Sequence, residues 1–356
     1  MVKANAYGHG LKEVAQIISP KVDFFAVNTL EEALKIKNLK LKINHILVAA
    51  PIPISDLPLA SKNNISLCVP SLEYLLKIKN LKLKIHLKIN TGTNRLGLSL
   101  LELLPALEIL RHSPNLRLEG IYTHFHSSDS GSPESLAQLD KFNQAVFQTK
   151  YYFPGCLAHC SSSSSAILWP QTHLDMIRIG ISLYGLWPDD HIKKHCPPGF
   201  FLKPVLAWKC LPVQIRKMSP GETVGYSATY KYKKEGYMAI LPIGYSDSYD
   251  RELSNKGRVW FAREYCQVIG RVAMNFTAID ISGCVSKSGA DIPAFLTQTC
   301  ATSTPSSRKK ANVEPQNFVE LLGPHVTADE IAKKTGTINY EVVSRLNPAI
   351  PRIIVK

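Results

Sequence analysis

The sequence predicts an α/β protein, a (β/α)8 TIM-like barrel over residues 1–195 followed by a mainly-β domain over residues 200–356. Three observations carry this. Short apolar runs alternate with helix-period segments through the first half, the pattern of βαβ units around a parallel sheet. Counting Val2 to Ala4 as the stub of a first strand, those runs make eight, the number that closes such a barrel. Beyond residue 200, strand-like runs follow one another without long helices between them. A doubly wound open sheet is the alternative arrangement of the same first-half elements.

After Val2 to Ala4, the predicted strands of the first half are Phe24 to Val27, Ile46 to Ala49, Ser66 to Val69, His86 to Ile89, Gly120 to His124, Leu157 to Cys160 and Met176 to Gly180. Helices are predicted over Leu30 to Lys37, Leu72 to Lys79, Ser99 to Arg111 and Ser135 to Lys150. The decapeptide LKIKNLKLKI occurs twice, at 34–43 and 76–85. Each copy closes a helix with lysines that complement the helix dipole. No aromatic residues interleave with them to stack bases, so a solvated helix end is preferred to a nucleic-acid surface. Pro197-Pro198-Gly199 marks the boundary. Strands are then predicted over Leu206 to Ile215, Tyr237 to Ile243, Arg258 to Ala262, Cys266 to Val272 and Thr277 to Ile281. The polar stretch 297–313 reads as a loop, and Thr327 to Lys334 as a short helix with Thr327 as N-cap.

Composition bounds the function. Of 356 residues 45% are hydrophobic, which supports a globular chain. The charge balance of 42 Lys and Arg against 28 Asp and Glu, net +14, suits an anionic ligand. No apolar run reaches membrane-spanning length and the first ten residues contain no apolar h-region, so neither a membrane nor a secretory role is expected. The eight cysteines include no CxxC pair, which indicates neither a zinc site nor a disulfide scaffold and makes the cytoplasm the default location.

In a barrel, side chains at the C-terminal strand ends surround one mouth. Those ends supply Lys3, Lys88 with Arg95, His124, His159 with Ser161 to Ser165, and Arg178 followed by Gly180. Cations, hydroxyls and backbone N–H groups there would suit a small anion, a phosphate in particular. Singly, Lys3 reads as a terminal surface lysine, the histidines as structural and the serines as a polar loop. Arg178 among apolar strand residues needs a partner, since an unpaired buried charge costs several kcal/mol.

The segment Val2 to Gly10 (VKANAYGHG) resembles the pyridoxal-phosphate attachment motif of alanine racemases. Further similarities follow in family order: KINTGTNRLG at 88–97, YTHF at 122–125, HCSSSSSA at 159–166, IRIGISLYGL at 177–186, GYSATY at 225–230, LPIGYSDSYDR at 241–251, GRVAMN at 270–275, TINYEV at 337–342 and Pro351-Arg352. The resemblance covers the chain except for an atypical insertion near 284–315, and family members carry several dozen residues ahead of the lysine motif, so it implies a first strand that is largely missing.

The resemblance implies a homodimeric isomerase that interconverts L- and D-alanine with pyridoxal 5'-phosphate and supplies D-alanine for peptidoglycan. No metal and no nucleic-acid partner are implied. Lys3 would carry the cofactor and act as base on one face. Tyr226 would be the second base, acting across the dimer interface. His124 would hydrogen-bond that tyrosine, and His159 would contact Arg178, which faces the pyridine nitrogen. A guanidinium only donates, so the ring nitrogen would stay unprotonated. The phosphate would lie on Tyr7, Ser163, Gly180, Ile181 and Tyr340. Arg95 and Met274 would hold the substrate carboxylate, with Lys88 as the family's often carbamylated lysine. Tyr245, Arg251 and Asp129 would line the entrance, and Tyr245 with Met274 would limit side-chain size. Departures from the family are Asn90 and Asn275 for usual aspartates, Thr93 for a methionine and Ser162 for an asparagine. A non-catalytic cofactor-binding relic, or a racemase for another small amino acid such as serine, are the alternative functions.

Overall fold

The computed structural model describes residues 1–43, 45–128, 132–288 and 318–355. The chain divides into two compact units, Met1–Lys203 with Arg352–Lys356, and Pro204–Pro351. The sequence reading assigned the last residues to the second domain. They belong to the first unit, where Arg352 Nε and Nη2 donate to the Gly8 carbonyl at 3.1 and 2.7 Å.

In the first unit six parallel strands pair in chain order: β1 (Phe24–Val27), β2 (His45–Val48), β3 (Ser66–Val69), β4 (Leu83–Lys88), β5 (Leu116–Tyr122) and β6 (Leu157–His159). Parallel neighbours require crossovers, and helices Leu30–Asn38, Leu57–Lys62, Leu72–Ile78, Leu100–Arg111 and Pro133–Tyr152 supply them. Their starts are written in side chains. Thr29 caps the first through the Glu32 N–H and Ser71 the third through the Tyr74 N–H. Ser99 and Glu102 form a reciprocal capping box at the fourth, a device worth about 1 kcal/mol. The strands are nearly continuous apolar runs because both sheet faces are covered; β3 is buried at every position. Phe25, Ile46, Leu67, Ile85 and Leu87 share one core with Ile36, Leu75 and Leu107 from the helices.

Six strands, not eight, are present among the described residues. Val2 to Ala4 is not a strand: after Val2 the backbone turns left-handed, with φ of 53° at Ala4, 54° at Asn5, 54° at Ala6 and 52° at Tyr7. Met176 to Gly180 is also irregular. It meets β6 through isolated bonds rather than a ladder, Asp175 N–H to Ala158 and Arg178 N–H to Ser161 at 3.1 and 3.2 Å. The Met1 amine donates to the Ile179 carbonyl and the Val2 N–H to Ala26 of β1, both at 2.8 Å. These bonds continue the circle from β6 to β1 without regular strands.

The two lysine-rich repeats end helices Leu30–Asn38 and Leu72–Ile78. Lys35 pairs with Glu31 at 2.9 Å and Lys77 with Glu73 at 2.5 Å, all exposed, as a solvated helix face requires.

The second unit is an antiparallel seven-stranded sheet whose strands lie side by side in the order Trp208–Cys210, Val319–Leu322, Arg258–Phe261, Glu264–Ile269, Thr277–Asp280, Gly236–Leu241 and Gln214–Met218. Its strands are β7 (Trp208–Cys210), β8 (Gln214–Met218), β11 (Gly236–Leu241), β12 (Arg258–Phe261), β13 (Glu264–Ile269), β14 (Thr277–Asp280) and β15 (Val319–Leu322), and a two-stranded ribbon joins β9 (Thr223–Val224) to β10 (Tyr230–Lys231). The single run predicted over Leu206 to Ile215 is two strands in different parts of this sheet. Helix Ala328–Thr335 starts at Thr327, whose hydroxyl accepts from the Glu330 N–H. Most of the stretch 284–315, including all of 297–313, lies outside the described residues.

Candidate active site

Lys3 opens the left-handed turn, a conformation that costs about 1–2 kcal/mol per non-glycine residue. The turn is held from several sides. The Gly8 N–H reaches Ala4 and the Gly10 N–H reaches Asn5, both at 3.0 Å. Asn5 Oδ1 accepts from Leu11 N–H at 2.9 Å, and its own N–H donates to Glu32 at 3.4 Å. Gly8 completes the turn at φ 80°. Tyr184 donates to the Met1 carbonyl at 2.9 Å, stacks on His9 and tilts against Tyr7. Such local strain at one lysine, paid for by surrounding bonds, is a feature of functional sites.

Arg178 spends four donors inside the protein. Nη1 reaches His159 Nδ1 at 2.8 Å and the His159 carbonyl at 2.9 Å; Nη2 reaches the carbonyls of Thr123 at 2.7 Å and Cys160 at 3.2 Å. A guanidinium has five N–H donors, so the Nε–H is the one left. Because Arg178 donates to Nδ1 of His159, that ring carries its proton on Nε2 and donates to His86 Nδ1 at 2.9 Å. His86 therefore carries its proton on Nε2, 4.0 Å from the buried Glu119 carboxylate. Glu119 accepts from Ser66 Oγ at 2.5 Å and lies 3.3 Å from Lys84. Gly120 leaves room for this chain, since a Cβ there would lie 2.2 Å from His86 Nδ1. Tyr122 stacks on His159 with the rings 3° from parallel, and the Arg178 guanidinium carbon lies 5.3 Å from the centroid of the same ring.

Gly180, Ser163 and Tyr7 meet beside Arg178. The Gly180 N–H donates to Ser163 Oγ at 2.9 Å, and a Cβ on Gly180 would lie 2.7 Å from the Tyr7 hydroxyl. Ser163 begins helix Ser163–Leu168, and Ile181 is buried at the start of a 3-10 turn. The Ser182 hydroxyl is buried with no partner among the described residues. A bare glycine and three hydroxyls, one of them the orphaned Ser182 Oγ, fit the donor set a phosphate dianion needs.

The electrostatics are one-sided. Burial and then the nearby Arg95 charge lower the Lys3 amine, with Glu32 alone opposing. Burial lowers Lys88 as well, and Arg95, Arg178 and Lys3 add to it. His124 falls to about 3 through burial and through the charges of Arg178, Arg95, Lys88 and Lys3, so it is neutral at pH 7. Burial raises the Tyr7 phenol to about 12. Four cationic side chains thus face one region of the first unit. Arg95 is exposed and has no ion pair among the described residues. Lys88 is buried, its ammonium 5.4 Å from the Tyr122 ring.

The departures from the family pattern have local roles. Asn90 Oδ1 accepts from the N–H groups of Gly92 and Asn94 at 3.2 and 3.0 Å, and its amide donates to Asn94 Oδ1, fixing the loop that carries Arg95. Thr93 donates to the His124 carbonyl. Ser162 bonds Ser128 at 2.9 Å and caps the Ser163 helix.

Tyr226, Tyr245, Met274 and Tyr340 belong to the second unit. Tyr226 is 72% exposed, displayed on a turn after Gly225 (φ 72°). Tyr245 and Met274 are held together: Tyr245 N–H bonds Ala273 at 3.0 Å, Ser246 N–H and Oγ both bond the Met274 carbonyl, and Asn275 donates to Ser246 Oγ at 2.9 Å. An aspartate at 275 could not make that donation. Tyr340 lies half-buried on helix Asn339–Ser344, and Arg251 is exposed. Asp129 lies outside the described residues.

Sequence reasoning missed Glu32, His86, Glu119 and Ser182. His86 had a signal: it alternates with Lys84 and Lys88 along β4, a polar face on an otherwise apolar strand. Glu32 and Ser182 had none, because Glu32 accepts from backbone N–H groups and the Ser182 hydroxyl has no partner among the described residues.

Comparison with known proteins identifies the family. A family model for the alanine racemase N-terminal domain matches residues 1–188, and one for the C-terminal domain matches residues 205–354. An alanine racemase from Leptospira interrogans (serovar copenhageni) is 33% identical over 370 residues, covering 100% of this chain and 88% of that protein. One from Listeria monocytogenes (EGD-e) is 36% identical over 356 residues, covering 99% and 89%. Among solved structures, the Bacillus anthracis alanine racemase with bound L-Ala-P superposes with a TM-score of 0.81 at 27% identity, over 97% of this chain and 85% of that one. The Bartonella henselae alanine racemase with covalently bound pyridoxal phosphate has the same fold, with a TM-score of 0.77 at 24% identity, over 97% of this chain and 89% of that one. No described helix is long and apolar enough to cross a membrane. With both domain models matched and full-length relatives above 30% identity, the chain belongs to the alanine racemase family.

Proposed function

We propose that the chain interconverts L- and D-alanine with pyridoxal 5'-phosphate, as a homodimer, by a two-base mechanism, and so supplies D-alanine for peptidoglycan. The observation that carries this reading is Arg178, whose Nη donors are all committed to His159, Thr123 and Cys160 while the Nε–H is left over. When bound, the cofactor supplies the electron sink that makes the substrate Cα–H acidic enough to remove.

The chain's own residues do the rest. The lowered pKa of Lys3 favours its free amine, the form that can attach the cofactor and take a proton on one face. Arg178 offers the ring nitrogen a donor that no protein condition can deprotonate. Tyr7, Ser163, Ser182, Gly180 and Ile181 hold the phosphate. Arg95 holds the substrate carboxylate, and Met274 gives it a backbone donor. The lowered amine of Lys88 favours the uncharged form that carbamylation needs, and the resulting anion would orient Arg95. Tyr226 from a second copy of the chain returns a proton on the opposite face, with neutral His124 as its hydrogen-bond partner. Tyr245 and Met274 restrict the side chain to a methyl group.

The test is conversion of pure L-alanine to D-alanine by the cofactor-loaded protein, read by chiral chromatography, beside L-serine. Turnover of alanine that is lost in Lys3→Ala supports the reading. Cofactor binding without turnover of either amino acid marks a relic, and faster turnover of serine a different racemase.

A further inference from the structure

Cys266 on β13 and Cys284 on helix Ser282–Ser288 bring their sulfurs to 3.3 Å, and both thiols are free. Cys266 is buried in the sheet, opposite Val259 of β12, while Cys284 is half-buried at the helix start. Their contact joins β13 to the helix, whose Ser282 hydroxyl also accepts from the Tyr237 N–H of β11 at 2.9 Å. We infer that Cys266 and Cys284 are a peroxide-reactive dithiol that closes to a disulfide, tying the helix to the sheet.

The environments assign the order of events. Either thiol can donate in this contact; the hydrogen bond lowers the half-exposed Cys284 thiol and raises the buried Cys266, although burial and the carboxylates of Glu264 and Asp280 oppose a negative charge at Cys284. The accessible sulfur is thus the one that reaches the thiolate. That thiolate attacks hydrogen peroxide: an S–O bond forms, the O–O bond breaks, and hydroxide leaves. Cys284 is oxidised to the sulfenic acid and peroxide is the two-electron oxidant. Cys266 then attacks the Cys284 sulfur; the S–S bond forms, the S–O bond breaks, and the departing hydroxide takes the Cys266 proton as water. A small dithiol reverses the reaction by exchange. The deeply buried thiols compete poorly, because burial raises Cys68 to about 11 and Cys156, Cys160 and Cys210 to about 12.

The experiment treats the reduced full chain with near-stoichiometric hydrogen peroxide, alkylates remaining thiols and maps non-reduced peptides by mass spectrometry. The expected product is a crosslinked peptide pair carrying Cys266 and Cys284, reversible by dithiothreitol. The thermal midpoint should rise by roughly 5–10 °C on oxidation. Cys284→Ser should lose both the crosslink and the peroxide-dependent shift. If Cys266 and Cys284 remain alkylatable while other thiols oxidise, if Cys284 proceeds to sulfinic acid with Cys266 still free, or if Cys284→Ser keeps the shift, the inference is overturned.

Discussion

The first unit buries three histidines that burial keeps neutral. His9 is lowered to about 4, His86 to about 4, and His159 well below its ordinary range. All three are at most 6% exposed. In the unfolded chain each titrates near 6.5. A depressed folded value means that the stabilisation is complete above 6.5 and is lost as pH falls toward the folded value, because the unfolded state binds the extra protons. At pH 5 a histidine with unfolded and folded values near 6.5 and 4 has lost about 2 kcal/mol, so His9 and His86 together lose about 4 kcal/mol, and His159, His124 and the Met1 amine, lowered by the same burial, add to the loss. Carboxylates contribute little in this window, since their ordinary values lie near 4. Urea unfolding followed by the fluorescence of Trp169 and Trp187 checks this between pH 7 and 5. The limiting slope is about 1.4 kcal/mol per pH unit for each histidine. His9→Gln removes one of these groups and should flatten the curve by about 2 kcal/mol between pH 7 and 5; its ring stacks on Tyr184 and donates to the Tyr7 carbonyl at 2.8 Å, without joining the Arg178 contacts. A stability that stays level from pH 6.5 to 5 would refute the neutral-histidine account of this core.

Other substitutions probe single contacts. Arg178→Lys offers three ammonium donors to four acceptors, leaving a buried carbonyl or ring nitrogen unmet; the thermal midpoint should fall by roughly 5–10 °C, and an unchanged midpoint in scanning calorimetry would count against the hydrogen-bond assignment. Gly180→Ala places a methyl 2.7 Å from the Tyr7 hydroxyl and should weaken cofactor affinity about tenfold in a fluorescence titration, whereas wild-type affinity would remove Gly180 from the phosphate site. Tyr226→Phe alters an exposed ring and should leave stability intact while racemisation falls by roughly 10²- to 10⁴-fold; retained turnover would exclude the phenol as a base.

The parallel strands were legible because a sheet covered on both faces demands continuous apolar runs, and β1 and β3 run from the residue expected to the residue expected. Capping side chains made Ser99 and Thr327 equally legible as helix starts. Helix Leu11–Ile18 was missed because Gly10 before it has no side chain to cap it. The strand expected over Met176 to Gly180 has the apolar alternation of a strand, but Arg178 turns four donors onto neighbouring carbonyls and a histidine, and only isolated bonds reach β6. The left-handed turn at Ala4 to Tyr7 was not legible in the residues alone, since three of its four residues are ones that rarely adopt positive φ. Motif order nonetheless singles out Lys3, Arg178 and Ser163 as candidates. What motif order does not show is how the site is supported, because the His159–His86 hydrogen bond, with His86 Nε2 4.0 Å from Glu119, brings together three strands that lie far apart in sequence.

The central claim is that the Lys3 amine carries the cofactor. Borohydride reduction of the protein incubated with pyridoxal phosphate, followed by peptide mapping, tests it most directly. The account predicts one pyridoxyl group, on the peptide containing Lys3, with loss of visible absorbance and no label in Lys3→Ala. A label spread over the exposed lysines of the two repeats, with Lys3 unmodified, would contradict it.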